Sequence, residues 1–362
     1  MIDFFPKKLL KWFKINQRNL PWRGVKDPYK IWLSEIILQQ TQVNQGLSYY
    51  TKFVERYPNV KLLANAPIDE VMKHWQGLGY YSRARNLHET AKNISKNYKG
   101  VFPKTYSEIR ELKGVGDYTA AAIASLAYDL PHAVVDGNVY RVLSRVFGID
   151  LAIDSSEGKK YFQNLANELL SKKEAAIYNQ AIMEFGALYC RPVNPDCTNC
   201  IFNDKCVAFE KQIVSELPYK SKKTKVRDRY FNYIVFQYKN STYIRKRSKK
   251  DIWQGLYEFY LIESDKKQKP AVRQAHDDSW GFLLKSKEFK KIASLKNISV
   301  KSVSKEYKHI LSHQNLHTTF YTIQLNQPLK TKLLKKVNID SIHRYAFPRL
   351  IEKYLKHEDI IE

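Results

Sequence analysis

Apolar residues recur at helical spacing through the first 217 residues, then shift to short alternating runs. In "VNQGLSYYTKFVERY", Val43, Leu47, Tyr50, Val54 and Tyr57 fall on one face of a 3.6-residue period. "NVYRVLSRVFGI" places Val139, Val142, Leu143, Val146 and Phe147 the same way, with Asn138 the predicted N-cap and Gly148 the stop. "LPYKSKKTKVRDRY" then carries many basic residues and little to bury. Beyond it the period becomes two, in "YFNYIVFQYK", "STYIRKR", "LYEFYLIE" and "LHTTFYTIQL". The pattern predicts a helical region over 1–217, a basic linker over 218–229 and a separate α+β domain over 230–362. Internal repeats are absent.

Composition adds a partner class. The chain has 61 Lys and Arg against 36 Asp and Glu, a net charge of +25, which favours a polyanion. A soluble protein rich in lysine would read alike on charge alone. No run approaches the ~20 apolar residues of a membrane span. "MIDFFPKKLLKWF" mixes charge into its apolar residues and does not read as a signal peptide. The expected setting is cytoplasmic and reducing.

There, four clustered cysteines bind metal more often than they form disulfides. Cys190, Cys197, Cys200 and Cys206 are the only cysteines and are spaced C-x6-C-x2-C-x5-C. Four thiolates hold zinc or an iron–sulfur cluster. Structural zinc sites usually use two close pairs. Here one C-x2-C pair has a lone cysteine on either side, and the wider wrap suits a cubane cluster, with a zinc knuckle as the alternative. Arg191 and Lys205 give the loop a surface suited to phosphate.

"LKGVGDYTAAAIASLAY" brackets one apolar residue between Gly114 and Gly116 and then opens a helix, over about 108–128. Glycines permit a tight hairpin, and the free N–H groups of a helix start suit a phosphate. An ordinary helix–turn–helix corner has the same pattern. Two carboxylates stand out. Glu35 is the one acid in an apolar helical stripe with Ile31, Trp32 and Leu38, where desolvation favours the protonated form of a general acid. A glutamate whose head reaches water at the helix rim would read the same. Asp136 follows an apolar run in "AVVDGNVYRV", as either a turn residue or a fixed carboxylate at a helix mouth.

The cysteine spacing, the hairpin and the two carboxylates together resemble the endonuclease III and MutY family of helix-hairpin-helix DNA glycosylases. The resemblance runs from "LPWR" to "YAFPRL", nearly the whole chain. It implies an all-α glycosylase region whose loop 190–206 holds one 4Fe–4S cluster, followed by an α+β Nudix-like domain. It implies that Glu35 protonates adenine at N7 and that Asp136 stabilises or traps the oxocarbenium-like sugar, as paired carboxylates do in glycoside hydrolysis. Tyr118 and Asn138 become their hydrogen-bond partners. Trp22, Arg23, Leu38, Gln180 and Met183 match the adenine pocket. Gln40 and Tyr80 match residues that fill or wedge the duplex beside the flipped base.

Tyr118 stands where lyase members of the superfamily carry the lysine that forms a Schiff base. A phenol cannot form an imine, so base removal without an efficient lyase is expected. The chain also continues for about 150 residues past the cysteines, as the adenine-removing branch does. "KHILSHQNLH" resembles that branch's loop for 8-oxoguanine, with Leu311 where phenylalanine is common, then Ser312 and His313. No Nudix box is present. The expected partner is duplex DNA containing 8-oxoguanine:adenine or guanine:adenine mispairs, met by a monomer associated with the nucleoid. The rival readings are an endonuclease III-type enzyme on oxidised pyrimidines and a non-catalytic iron–sulfur DNA-binding protein.

Overall fold

The computed structural model describes residues 3–221, 225–248, 250–264, 283, 286–290, 292 and 298–361. The chain divides into two compact units, Met1–Ala66 with Arg83–Lys223, and Pro67–Ser82 with Thr224–Glu362.

The first unit is helical: α1 (Phe4–Asn16), α2 (Pro28–Leu38), α3 (Val43–Arg56), α4 (Val60–Asn65), α6 (Ser82–Asn97), α7 (Tyr106–Arg110), α8 (Asp117–Tyr128), α9 (Gly137–Phe147), α10 (Ser156–Leu169), α11 (Ala175–Leu188) and α12 (Val207–Glu210), with α5 (Ile68–His74) belonging to the second unit. Helix α11 packs on α1, α8 and α9, while α2 packs on α3 and α8. That arrangement turns the α2, α8 and α11 side chains and the start of α9 towards one another. The buried face of α3 is Gly46, Tyr50 and Phe53, and Leu47 is 38% exposed. The face expected through Val43, Leu47 and Val54 is therefore rotated, because Gly46 admits a close approach: a Cβ there would lie 2.8 Å from Leu38 Cδ2.

The N-cap of α9 is Asp136 rather than the expected Asn138. Its Oδ1 accepts from Asn138 N at 2.9 Å and Val139 N at 2.8 Å. The helix starts two residues earlier than the apolar period suggests, because a carboxylate in extended backbone satisfies two free N–H groups at once. Gly148 ends the helix in left-handed conformation, as expected.

The second unit is a mixed sheet with β1 (Arg227–Tyr238), β2 (Ser241–Lys246), β3 (Tyr257–Glu258), β4 (Tyr260–Ser264), β5 (Ile298–Val303), β6 (Tyr307–Leu311), β7 (Gln314–Leu325) and β8 (Lys335–Asn338). Its main order is β3-β2-β1-β7-β5, with β4 on β1, β6 on β7 and β8 on β2. Strands β1 and β7 run parallel from Arg227↔Gln314 to Gln237↔Gln324. Ile234, Phe236, Ile262, Tyr321 and Ile323 form part of its core. Beside the sheet lie α13 (Lys287–Lys290) and α14 (Arg349–His357). Strands β5, β6 and β8 are short and bury few of their residues, so they do not show in the alternation.

Two segments differ from the sequence reading. The basic stretch 218–229 is held at both ends: Ile153 N donates to the Tyr219 carbonyl at 3.1 Å, Ser221 donates to Asp154, and β1 begins at Arg227. Residues 67–82, numbered within the helical region, fold with the second unit. There Asp69 pairs with Lys246 and accepts from the Tyr257 hydroxyl at 3.0 Å, Lys73 Nζ donates to the Tyr345 carbonyl at 3.4 Å, and Gln76 donates to Glu352.

Candidate active site

Glu35 points from α2 into a cleft of about 460 Å³ in the first unit and is only 8% exposed. The Tyr118 hydroxyl, from the first turn of α8, donates to Glu35 Oε2 at 2.7 Å, leaving Oε1 as the oxygen able to carry a proton. Burial pushes the Glu35 carboxyl up to about 7, the Tyr118 bond opposes this, and the negative charge of Asp136 adds to it. At neutral pH the group is thus poised between acid and base, the condition for proton transfer.

Asp136 lies across the cleft at the mouth of α9. Besides its two backbone donors, Asn138 Nδ2 donates to Oδ2 at 2.9 Å. Burial raises its pKa, and the three N–H donors and Arg141 act against that rise. The segment before it, residues 132–135, belongs to no helix or strand, so side-chain amides take its backbone groups. Asn179 Nδ2 donates to the His132 carbonyl at 2.8 Å and its Oδ1 accepts from Val134 N at 3.2 Å. Gln163 donates to the Ala133 carbonyl, and Asn167 accepts from Ala133 N. Asn179 is fully buried, so this amide ladder fixes the approach to Asp136.

The cleft is also lined by Trp22, Arg23, Leu38, Gln40, Asn138, Gln180 and Met183. All of the first unit's expected catalytic and pocket residues thus meet in one cavity, Gln40 included. Trp22 packs edge-on to Tyr50, with ring centroids 5.1 Å apart. Arg23 lies over Phe13 at 4.9 Å, and its Nε and Nη1 are buried without a protein partner among the described residues. The sequence reading missed an acidic residue of the cleft. Glu184 on α11 is 3% exposed and accepts from Arg18 Nη2 at 2.7 Å and Arg23 Nη2 at 3.1 Å. Burial raises its pKa, but the Arg18 and Arg23 contacts outweigh this and keep it low. Its signal in "AIMEFG" is the same as that of Glu35, a lone acid in an apolar helix.

The remaining expected contacts lie elsewhere. Gly114 takes φ +79° in the hairpin, where a Cβ would meet Asn86, and Gly116 caps α8 with open space around it. Tyr80, 49% exposed with φ +45°, lies in the second unit. So do Leu311, Ser312 and His313: Leu311 pairs with Gln314, making Ser312–His313 the exposed two-residue tip of the β6–β7 hairpin.

The four cysteines are free thiols rimming one cavity with Arg145, Phe185, Tyr189 and Phe202. Phe202 N donates to Cys200 Sγ at 3.4 Å and Arg145 Nη1 to Cys190 Sγ at 3.6 Å. Burial pushes Cys200 up to about 12 and raises Cys197 and Cys206 as well, so a bound metal must displace protons from the thiols it takes. Four thiols rim an apolar pocket with N–H donors to the Cys190 and Cys200 sulfurs, a donor set that suits an iron–sulfur group, while among the described residues no three side chains are grouped to hold a single metal ion. Arg141 connects this loop to the cleft: Nε donates to the Cys190 carbonyl at 2.7 Å and Nη2 to Asn138 Oδ1 at 2.8 Å.

Comparison with known proteins agrees with this geometry. Residues 33–172 match the HhH-GPD superfamily of base excision DNA repair proteins, and residues 232–357 match the NUDIX domain. An adenine DNA glycosylase of Buchnera aphidicola subsp. Baizongia pistaciae is 33% identical over 89% of this chain and 87% of its own. The Mus musculus adenine DNA glycosylase is 40% identical over 58% of this chain and 42% of its own. The structure of a thermostable thymine-DNA glycosylase, 31% identical, superposes on 58% of this chain and 97% of its own with a TM-score of 0.54. The chain therefore belongs to the adenine DNA glycosylase family, with a helical HhH-GPD region followed by a strand-rich NUDIX domain.

Proposed function

We propose that this DNA N-glycosylase of base excision repair removes adenine paired with 8-oxoguanine or guanine, by hydrolysis and without an efficient strand-cutting step. The observation that carries the reading is the cleft in which Glu35, held by Tyr118, faces Asp136, held by Asn138. Glu35 protonates the leaving base and Asp136 answers the positive charge that develops on the sugar. The unpartnered Arg23 donors and the Trp22 and Met183 walls suit a flat purine. The hairpin at Gly114–Gly116 grips the DNA backbone, Gln40 and Tyr80 wedge the duplex beside the flipped base, and the Ser312–His313 tip reads the opposite base. Cys190, Cys197, Cys200 and Cys206 hold one 4Fe–4S cluster, which is structural and DNA-positioning rather than a reactant in the hydrolysis. No helix among the described residues is long and apolar enough to cross a membrane. We place the enzyme in the cytoplasm at the nucleoid, as a monomer.

The test is excision from 8-oxoguanine:adenine, guanine:adenine and thymine-glycol duplexes, with Glu35→Gln as control. Wild type should release adenine and leave an intact abasic strand. Glu35→Gln should bind the duplex and lose at least ~10²-fold in rate, the usual scale of general acid catalysis. Protein purified without oxygen should be yellow-brown with about four iron atoms per chain. Release of thymine glycol in place of adenine would overturn the substrate, and full activity of Glu35→Gln would overturn the acid.

A further inference from the structure

Helix α2 carries Glu35 and stops at Leu38, and the turn that follows places Gln40 at the cleft mouth with φ +54°. A glutamine seldom takes that left-handed conformation, so something must hold it there. In a continuing helix the Ile36 and Ile37 carbonyls would accept from the N–H groups of Gln40 and Thr41. Here the Leu38 carbonyl accepts from Thr41 N at 3.1 Å, and a side chain from α6 serves the other two. Arg83, 8% exposed, donates through Nη1 to Ile36 O and Ile37 O at 2.9 Å each and to Gln39 O at 2.5 Å. Both Nη1 and Nη2 lie 3.4 Å from Thr41 Oγ1.

We propose that Arg83 is a positioning residue for base extrusion: its guanidinium replaces the missing turn of α2, and so holds Gln40 in the conformation that aims it at the duplex. The proposal rests on the cleft being the adenine site and on Gln40 filling the space beside the flipped base. A planar fork can meet several carbonyls and a hydroxyl together, and it carries positive charge to a helix C-terminus. The three carbonyls gather on Nη1 while Nη2 also reaches Thr41 Oγ1; a lysine keeps the charge but puts one nitrogen on a flexible stem, without the second arm and planar geometry that fix the turn. Arg83 meets the cleft at Gln39 and Thr41, on the side of Gln40 rather than at the Glu35 carboxyl, so its loss should tax extrusion more than the chemistry that follows.

The test compares single-turnover excision from two duplexes, one with adenine facing 8-oxoguanine and one with adenine facing an abasic site, where leaving the stack costs less. Wild-type release from the first duplex checks the parent reading separately. Arg83→Lys should slow excision at least ten-fold on the 8-oxoguanine duplex and stay within about two-fold of wild type on the abasic one. Gln40→Ala should show the same split, and combining the two substitutions should add little, as expected of residues acting as one unit. With 2-aminopurine as the target base, Arg83→Lys should give a smaller fluorescence rise on binding. Equal loss on both duplexes, or losses that simply multiply in the double variant, would overturn the proposal. So would a failure of both Arg83→Lys and Arg83→Gln to fold, which would make Arg83 a residue of stability alone.

Discussion

The Tyr118 hydroxyl donates to Glu35 Oε2 at 2.7 Å, from the helix that follows the hairpin to the helix that carries the acid. This bond stabilises the carboxylate and so restrains the rise that burial imposes on Glu35. Excision needs the protonated acid and should therefore fall as pH rises through about 7. Tyr118→Phe removes the restraint, so its alkaline limb should move to higher pH. A single-turnover pH profile that moves the other way, or not at all, would show that the bond is absent in solution.

The same shift makes a stability statement with a definite sign. The folded value of Glu35 lies above its ordinary 4.5, so what the group contributes is present below about 4.5 and lost as pH rises through about 7. Glu35→Gln carries no such loss. Chemical denaturation should find it more stable than wild type at pH 8, with the advantage shrinking towards pH 4.

Asp136 has two jobs that one substitution separates. Asn is as good an N-cap as Asp, so Asp136→Asn should melt within a few degrees of wild type. It removes the charge that would answer the sugar cation, and excision should fall by ~10²-fold or more. It also removes a charge that raises Glu35, so carbon-13 titration of Glu35 should report a lower pKa in this variant. Loss of folding together with loss of rate would mean that the cap alone explains the residue.

Much of this site was legible because each signal was local. Gly114 and Gly116 beside one helix start, four cysteines in one loop, and a lone acid in an apolar stripe are all visible within a few residues. What the sequence hid was pairing over distance. Glu184 meets Arg18 across 166 positions, and Asn179 supports the approach to Asp136 from another helix. Neither partner changes the local pattern. The mixed sheet was readable through β1 and β7, buried along most of their length, and was missed at β5 and β6, which alternate weakly and lie on the far side of β7. The assignment of residues 67–82 to the second unit has no local signature, since Asp69 finds its partners at Lys246 and Tyr257.

The second unit should be separable in function from the cleft. Ser312 and His313 form an exposed hairpin tip, with Ser312 Oγ 3.2 Å from His313 Nδ1, and neither holds up the core. Ser312→Ala with His313→Ala should leave excision from guanine:adenine duplexes unchanged and lower the preference for 8-oxoguanine:adenine by about ten-fold per lost hydrogen bond. Competition between the two duplexes measures this directly. An unchanged preference would remove the tip from recognition of the opposite base.

Arg141 joins the cysteine loop to the cleft, and its loss should be felt at the chemistry. It is 9% exposed on α9, and its guanidinium donates to the Cys190 carbonyl, the Gly186 carbonyl and Asn138 Oδ1 at 2.7–2.8 Å. Asn138 in turn donates to Asp136 Oδ2 at 2.9 Å. The first cysteine of the loop is thus three hydrogen bonds from the carboxylate that faces the sugar. A partner at this remove typically matters by ~10–100-fold. Arg141→Gln should therefore bind duplex DNA and keep its iron, yet excise adenine ~10–100-fold more slowly. Arg141→Lys should not recover the rate, because one nitrogen cannot reach all three acceptors. Removing the iron from wild type with a chelator under mild conditions should produce a similar fall, and removing it from Arg141→Gln should add little. If the apoprotein excises adenine at full rate while Arg141→Gln is slow, Arg141 acts only on Asn138 and the link to the loop carries nothing. If Arg141→Gln is itself at full rate, Asp136 is held well enough by Val139 N and Asn138 N alone.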